Sequence, residues 1–413
     1  MRALTTLVAA AVLAAPAPGA AETIAIEGAT VYVTPDKKLD DATVVIVDGK
    51  ITAVGAGAKV PAGATRIDGA GKIVTAGLIE AHSQLGLVLV DQEGSGNDGQ
   101  LSLDADKVHA AYRVADAYDA DAITLPVART GGVTSAVAVP SGGLVAGQSA
   151  WISLADGLTV DDAVRAPAAM HAALGNDAGA ASGGSRGRAI TMLRELLDDA
   201  AAYGKAKGAY DRGQSRELAA SRGDLEALAP VLRGALPLVV SAESETDIRA
   251  ALRLAKARKL RLVIVGGTEA WKVADELAKA KVAVILDPMQ NLPWKLEAPD
   301  VRDDAAATLA AAGVQVAIST MGNASQARTI RQLAGNAVAE GMSWQAALAA
   351  LTTVPAAIYG VTDRGTVEPG KVADVVVWSG DPLELSTRAE VVIIGGVVQS
   401  LETHQSKLFR KYR

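Results

Sequence analysis

The chain has 413 residues, half of them apolar and about a fifth charged, with a formal net charge of −6. That balance fits a globular protein long enough for more than one folding unit, and it leaves no basic surplus to mark a nucleic-acid surface. The absence of cysteine excludes disulfides and thiolate metal sites, and with a single Phe, at 409, the core must be filled by Ala, Val and Leu.

Residues 1–21 predict a secretory signal. Arg2 supplies the positive charge, Leu4 to Ala15 the apolar stretch, and Gly19-Ala20-Ala21 a small-residue cleavage site before Glu22. The apolar run is too short to span a bilayer, and Pro16 and Pro18 interrupt it. Cleavage near Ala21 and a periplasmic or secreted mature chain are therefore expected, with no membrane span in it.

Thr23–Ile26, Thr30–Val33 and Thr43–Val47 then read as short strands. Asp48-Gly49 reads as a tight hairpin turn into Lys50–Val54, since Gly accepts positive φ. Gly370–Trp378 and Val391–Val398, near the far end, have the same strand and turn chemistry. Residues 22–70 and 365–403 are thus expected to build one composite β-sandwich, with residues 71–364 inserted between its halves.

The inserted part opens on Gly71–Gly86, an apolar run that reads as a buried strand ending in His82. Residues two apart on a strand share a face, so His82 and Gln84 are expected to point the same way. Val133–Val139 and Trp151–Leu154 read as strands, and Arg188–Tyr203 and Asp224–Leu232 as helices. From Leu238–Ser241 onward a regular alternation sets in. The strands Arg261–Val265, Val282–Leu286 and Val314–Ile318 interleave with the helices Asp247–Ala257 (capped by Thr246), Glu269–Lys279, Asp303–Ala312 and Gln326–Glu340. Such alternation predicts parallel βαβ units, hence an α/β chain with a TIM-like (β/α)8 barrel inserted in the small sandwich. Glu93–Asp106 and Gly175–Gly187 read as lids over the barrel mouth, and Gly204–Gly223 as a surface loop. Residues 404–413 read as a basic solvated tail, with docking onto a partner subunit as the alternative.

Three stretches carry a family resemblance. Gly71–His82 resembles the first barrel strand of the amidohydrolase superfamily, Leu348–Ala356 its closing helix, and Gly365–Asp374 its return to the sandwich. Ala146–Ala150 and Asp247–Leu252 are similar to the imidazolonepropionase-like branch. The resemblance implies a metal-dependent hydrolase acting on non-peptide C–N bonds of cyclic or linear amides. It also implies divalent metal, zinc above all, held by His-x-His on the first strand, His on the fifth and sixth, and Asp on the eighth. A metal so held lowers the pKa of bound water and polarises a carbonyl.

The aligned positions depart from that pattern. His82 remains as a remnant of the metal site, but Gln84 stands for the second His. Ser241, two residues before Glu243, replaces the fifth-strand ligand, Gly266 the sixth and Met321 the eighth. Catalytic zinc needs about three protein ligands, so no bound cofactor is expected. The other histidines offer no obvious replacement. His109 falls on an apparent helix, Lys107–Tyr118, His171 in a helix-like Ala168–Leu174 run, and His404 in the tail. Glu243, Glu269 and Asp287 near strand ends could hold a hard cation, although helix capping explains acidic residues there as well.

The resulting expectation is a catalytically impaired homologue, a pseudoenzyme acting as a binding or partner subunit. It would form a homo-oligomer or a hetero-complex with an active amidohydrolase relative, or hold a small-molecule ligand. The alternative is an active hydrolase with a site rebuilt around His82, Ser241 and Glu243.

Overall fold

The computed structural model describes residues 23–89, 96–101, 107–290 and 292–413. The leader-like residues 1–21 and most of the expected lid Glu93–Asp106 lie outside the described residues.

Strand β1 (Ile24–Thr34) joins into one element the two short strands expected there. Gly28, with φ +71, sits at a shift in its register with β2 (Lys37–Val47) and divides β1 into two halves with different partners. After β3 (Lys50–Gly55), the first half pairs in parallel with β4 (Thr65–Asp68) and the second with β5 (Ile73–Ala76). The turn between β2 and β3 is the expected one, with φ +49 at Asp48 and +74 at Gly49, the backbone twist that suits a two-residue hairpin. Residues from the far end complete the same sheet. Val375–Trp378 runs antiparallel to β5 and is followed by Ala389–Ile394 and Val397–Val398. The strands from both ends of the chain thus form one hydrogen-bonded unit of eight strands, linked through the divided β1, and its margins meet where Ala373 N donates to Gly49 O at 2.9 Å and Ile51 N to Lys371 O at 3.0 Å. Its apolar side gathers Ile24, Ile26, Val44, Ile46, Val375 and Ile393.

The inserted part contains two further sheets. In the first, β6 (Leu78–Ser83) pairs in parallel with β7 (Val133–Ala138). The chain then passes from β8 (Val145–Gln148) into β9 (Ala150–Ser153), which is antiparallel to β7 and to the short β10 (Val164–Arg165). In the second sheet, β8 is antiparallel to β11 (Met170–Ala173). From there β12 (Leu238–Ala242), β13 (Leu262–Gly266), β14 (Ala283–Leu286) and β15 (Val316–Ile318) follow in parallel. Hydrogen bonds join the two sheets at both margins: Ser149 N donates to Ala169 O at 2.9 Å, and Gly322 N to His82 O at 2.9 Å. Ile79, Ala81, Val137, Val239, Val263, Ile285 and Ala317, from both sheets, form one apolar cluster. The alternate residues Val240, Ile264, Val284 and Val316 join a second cluster with the helices. Strands covered on both faces read as continuous apolar runs, which is why this region was legible.

Helix ends differ where capping decides them. The helix Glu245–Arg258 is capped by Ser244, whose oxygen accepts from Asp247 N, and not by Thr246. The helix Arg186–Asp211 continues past Tyr203 into the expected loop, with a non-helical Ala206 inside it. Lys107–Tyr118 forms no α-helix, only a single 3-10 turn at Val114–Asp116. Met170–Ala173, in a run that reads as helical from its alanines, is strand β11. Pairing with β8 and β12 on its two sides overrides intrinsic propensity.

Trp378 ties the end sheet to the inserted part. It is fully buried, its indole N–H donates to Thr75 Oγ1 at 2.9 Å, and its ring lies against Gly132 just before β7. Among the described residues no helix is long and apolar enough to cross a membrane.

Candidate functional site

A cavity of about 440 Å³ opens among the loops that follow the strands of the inserted part. His82 enters its wall from the end of β6 and His171 from β11. Ser241 and Glu243 come from the end of β12, and Met321 from just after β15. Asp177, Trp294 and Lys295 reach it from the loops after β11 and β14. Loops at strand C-termini are where such folds place their chemistry.

One side of the wall is a closed lattice of charged groups. Ser241 Oγ donates to Asp177 Oδ2 at 2.6 Å. Lys295 Nζ donates to both Asp177 oxygens at 2.9 Å and to Glu243 Oε1 at 3.1 Å. The second Glu243 oxygen accepts from Thr268 N at 3.1 Å and Thr268 Oγ1 at 2.8 Å. Lys295 also lies 4.2 Å over the Trp294 ring. Burial opposes the charge on Lys295, but Glu243 and Asp177 together outweigh it and hold the ammonium above its ordinary pKa. Gly266 belongs to this lattice by what it lacks. It has φ +88, and a Cβ there would meet Glu243 Oε1 at 2.4 Å.

The other side carries two imidazoles. The rings of His82 and His171 have centroids 5.6 Å apart, with planes inclined at 50°. Nδ1 of His82 and Nε2 of His171 are buried and have no hydrogen-bond partner among the described residues. Burial pulls the His82 pKa down to about 4; burial, and then the charge of His82, hold His171 well below the ordinary histidine value. Both rings are neutral at pH 7.

Beneath them Glu80 ties β6 to the segment after β15. It accepts from Ser319 Oγ, from Thr320 N at 3.2 Å, from Thr320 Oγ1 at 3.0 Å and from His82 N at 3.2 Å. Burial outweighs these bonds and pushes its carboxyl up to about 7. Glu80 thereby positions both His82 and Met321, the latter held at φ +53.

The sequence-derived residues divide accordingly. His82, Ser241, Glu243 and Met321 meet at the cavity; Gly266 makes room for Glu243. Gln84 does not share the His82 face, because β6 ends at Ser83 and the pleat stops there. Its amide donates to Ser141 Oγ at 3.2 Å and accepts from Asn97 at 3.0 Å, bracing two loops. Glu269 accepts from Glu245 N at 2.9 Å and Lys272 Nζ at 3.0 Å, and Asp287 caps Met289 N at 2.8 Å. Neither lines the cavity, nor do His109 and His404. His171, set aside as a helical residue, does line it. Asp177 and Lys295 were not singled out from the sequence. The usable signals were their places in the loops after strands and the Trp294-Lys295 pair.

The residues present do not fit a hydrolytic zinc. The two cavity carboxylates are already bound to Lys295, which leaves His82 and His171 as nitrogen donors. Among the described residues no three His, Asp or Glu side chains converge as ligands of one ion, whereas catalytic zinc takes about three and an open position.

Residues 336–399 match the model of the amidohydrolase family. Over 387 residues, 86% of this chain, the protein is 24% identical to amidohydrolase tasK of Hapsidospora irregularis, and it spans only 38% of that relative's length. An amidohydrolase from Thermotoga maritima MSB8 superposes with a TM-score of 0.82 at 29% identity, covering 91% of this chain and 99% of that one. The fold extends to atrazine chlorohydrolase TrzN from Arthrobacter aurescens TC1 complexed with zinc, with a TM-score of 0.53, 18% identity, and coverage of 94% and 98%. Motifs at both ends of the inserted part, the superposition over nine-tenths of the chain and the matched model all point to the amidohydrolase superfamily.

Proposed function

We propose that this chain has lost metal-assisted hydrolysis of non-peptide C–N bonds and acts as a small-molecule binding protein, a pseudoenzyme exported by way of residues 1–21. The observation that carries the reading is the Lys295 lattice. Ser241 and Gly266, the residues at two former ligand positions, are engaged in or make room for an ion-pair network, so neither offers a donor to a metal. In this reading the two inserted sheets are arcs of one (β/α)8-type barrel, supported by their shared apolar cluster and two hydrogen-bonded margins. The cavity sits at its mouth. Two carboxylates, one ammonium, two neutral imidazoles and the Trp294 ring suit a small neutral or cationic ligand better than an anion. Service as a partner subunit, in a homo-oligomer or beside an active relative, is a further role that the same emptied site would permit.

Elemental analysis of purified protein tests the reading: near-stoichiometric zinc or manganese overturns it. Thermal shift against neutral, cationic and anionic amides tests the ligand class, with stabilisation expected for the first two.

A second reading, an active hydrolase with a rebuilt site, draws on the 2.6 Å contact between Ser241 and Asp177. Both carboxylates are bound to Lys295, and Asp177 is the candidate base in place of Glu243 because it is the one that accepts the Ser241 hydroxyl. Turnover of small amides that falls sharply in both Ser241→Ala and Asp177→Asn would favour it.

A further inference from the structure

We propose that the helix His404–Tyr412 docks this chain on an anionic lipid surface, lying in the interface with its apolar arc inward, a role separate from the cavity. The order of its residues sets up two faces. At about 3.6 residues per turn, Leu408, Phe409 and Tyr412 fall within about 100° of one another. Most of the remaining circumference carries His404, Lys407, Arg410 and Lys411, and Arg413 follows at the C-cap. No Asp or Glu stands between positions 404 and 413.

Nothing among the described residues covers the apolar arc. The helix contains no buried residue, and Leu408, Phe409 and Tyr412 are 40%, 62% and 77% exposed. Its support is local: a capping box between Thr403 and Ser406, and an ion pair from Arg410 to Glu402 just before the helix. The two aromatic rings meet only cations of the same segment, Arg413 at 5.5 Å from Phe409 and Lys411 at 5.3 Å from Tyr412. An isolated helix this short is marginal in water, so a surface that takes up the arc would also hold the helix.

Charge selects that surface. Lys407, Arg410, Lys411 and Arg413 gather on one short segment of a chain whose net charge is −6. An anionic bilayer therefore attracts the helix and repels the acidic remainder, and one field both attaches and orients the chain. The headgroup layer suits both faces. Leu408 and Phe409 enter the acyl boundary, Tyr412 keeps its hydroxyl among the headgroups, and the Lys and Arg stems reach back to phosphate. The face of a single helix this short falls well below the roughly 800 Å² per partner of a standard protein interface. Attachment is reversible, because apolar area and charge are each too small to anchor the chain alone.

The test uses the mature chain, residues 22–413, so that the apolar run of the leader cannot bind lipid. Flotation is compared between vesicles of phosphatidylcholine alone and of an equal mixture of phosphatidylcholine and phosphatidylglycerol. Wild type is expected to float with the mixture only, and to be released as salt rises. Phe409→Ser with Tyr412→Ser, and separately Lys407→Gln with Lys411→Gln, are each expected to weaken binding at least about tenfold. All four side chains are exposed, so the melting temperature followed by circular dichroism should not change. In Phe409→Trp, emission should shift to the blue on addition of the mixed vesicles.

Wild type that does not float with the mixture overturns the inference, as does equal flotation with phosphatidylcholine alone. Flotation that either double variant leaves unchanged overturns it too. A dimer seen by light scattering without lipid binding, and lost in Phe409→Ser with Tyr412→Ser, gives the arc to a second copy and overturns the lipid assignment. Each of these outcomes leaves the metal-free reading of the cavity where it stands.

Discussion

Gly266 and Glu243 occupy complementary volumes: a Cβ on the glycine would lie 2.4 Å from Oε1 of the glutamate. No side chain can therefore be accommodated at position 266 while Glu243 remains bound to Lys295 and Thr268. Gly266→Ala combines overpacking with a φ of +88, effects of about 1–3 kcal/mol each. Urea unfolding should show the variant destabilised by roughly that sum. In a Glu243→Ala background the overlap disappears and only the backbone strain stays. Strictly additive effects in this double-mutant cycle would show that the two residues do not share the space.

Glu80 and His82 should give opposite pH dependences. The Glu80 carboxyl is pushed from 4.5 up to about 7 by burial. As pH rises through that interval the unfolded chain releases the proton first, so the support from Glu80 is complete below 4.5 and lost through 7. The amount is on the order of 3 kcal/mol. In Glu80→Gln this downward slope should vanish, with a further cost of about 1–3 kcal/mol because one amide N–H replaces an acceptor. Denaturant midpoints from pH 4 to 8, compared with wild type, read both effects.

His82 is depressed by burial from 6.5 to about 4. Its support is complete above 6.5 and is lost as pH falls through 4, because the unfolded chain takes up the proton first. In His82→Asn the loss of stability on acidification should be smaller than in wild type. Imidazole resonances in NMR spectra check the premise directly: His82 should titrate near 4 and His171 well below 6.5. A His82 midpoint near 6.5 would contradict the burial argument.

Trp378 should govern whether the end sheet and the inserted part unfold together. Trp378→Ala removes a fully buried ring and the bond to Thr75, a change that costs about 3–5 kcal/mol. Near-ultraviolet and far-ultraviolet probes, coincident in wild type, should separate in the variant if the indole is the principal tie. Gly132→Ala, whose Cβ would fall 2.2 Å from the Trp378 ring, should weaken the same junction from the other side.

Much of the architecture was readable in advance because local rules govern it. The runs at Leu238–Ala242, Leu262–Gly266 and Ala283–Leu286 are apolar throughout, and each is followed by a helix. Their spacing alone implies parallel strands covered on both faces. The Asp48-Gly49 turn follows from the φ its residues tolerate. Misreadings fall where propensity and context disagree. Ala168–Leu174 is rich in helix formers, yet its centre pairs between two strands. Gly204 sits inside a helix whose packing against the core carries it past that point.

The sequence by itself determined which residue types stand at the strand ends, His82, Ser241, Gly266 and Met321 among them, since residue type is a local property. Only the tertiary structure decided which groups those residues meet. Asp177, Glu243 and Lys295 lie far apart along the chain, and their ion pairs depend on three loops being brought to one point. No spacing rule encodes that meeting. Coulomb attraction in a shielded wall acts through space, and it cannot be read from the order of residues.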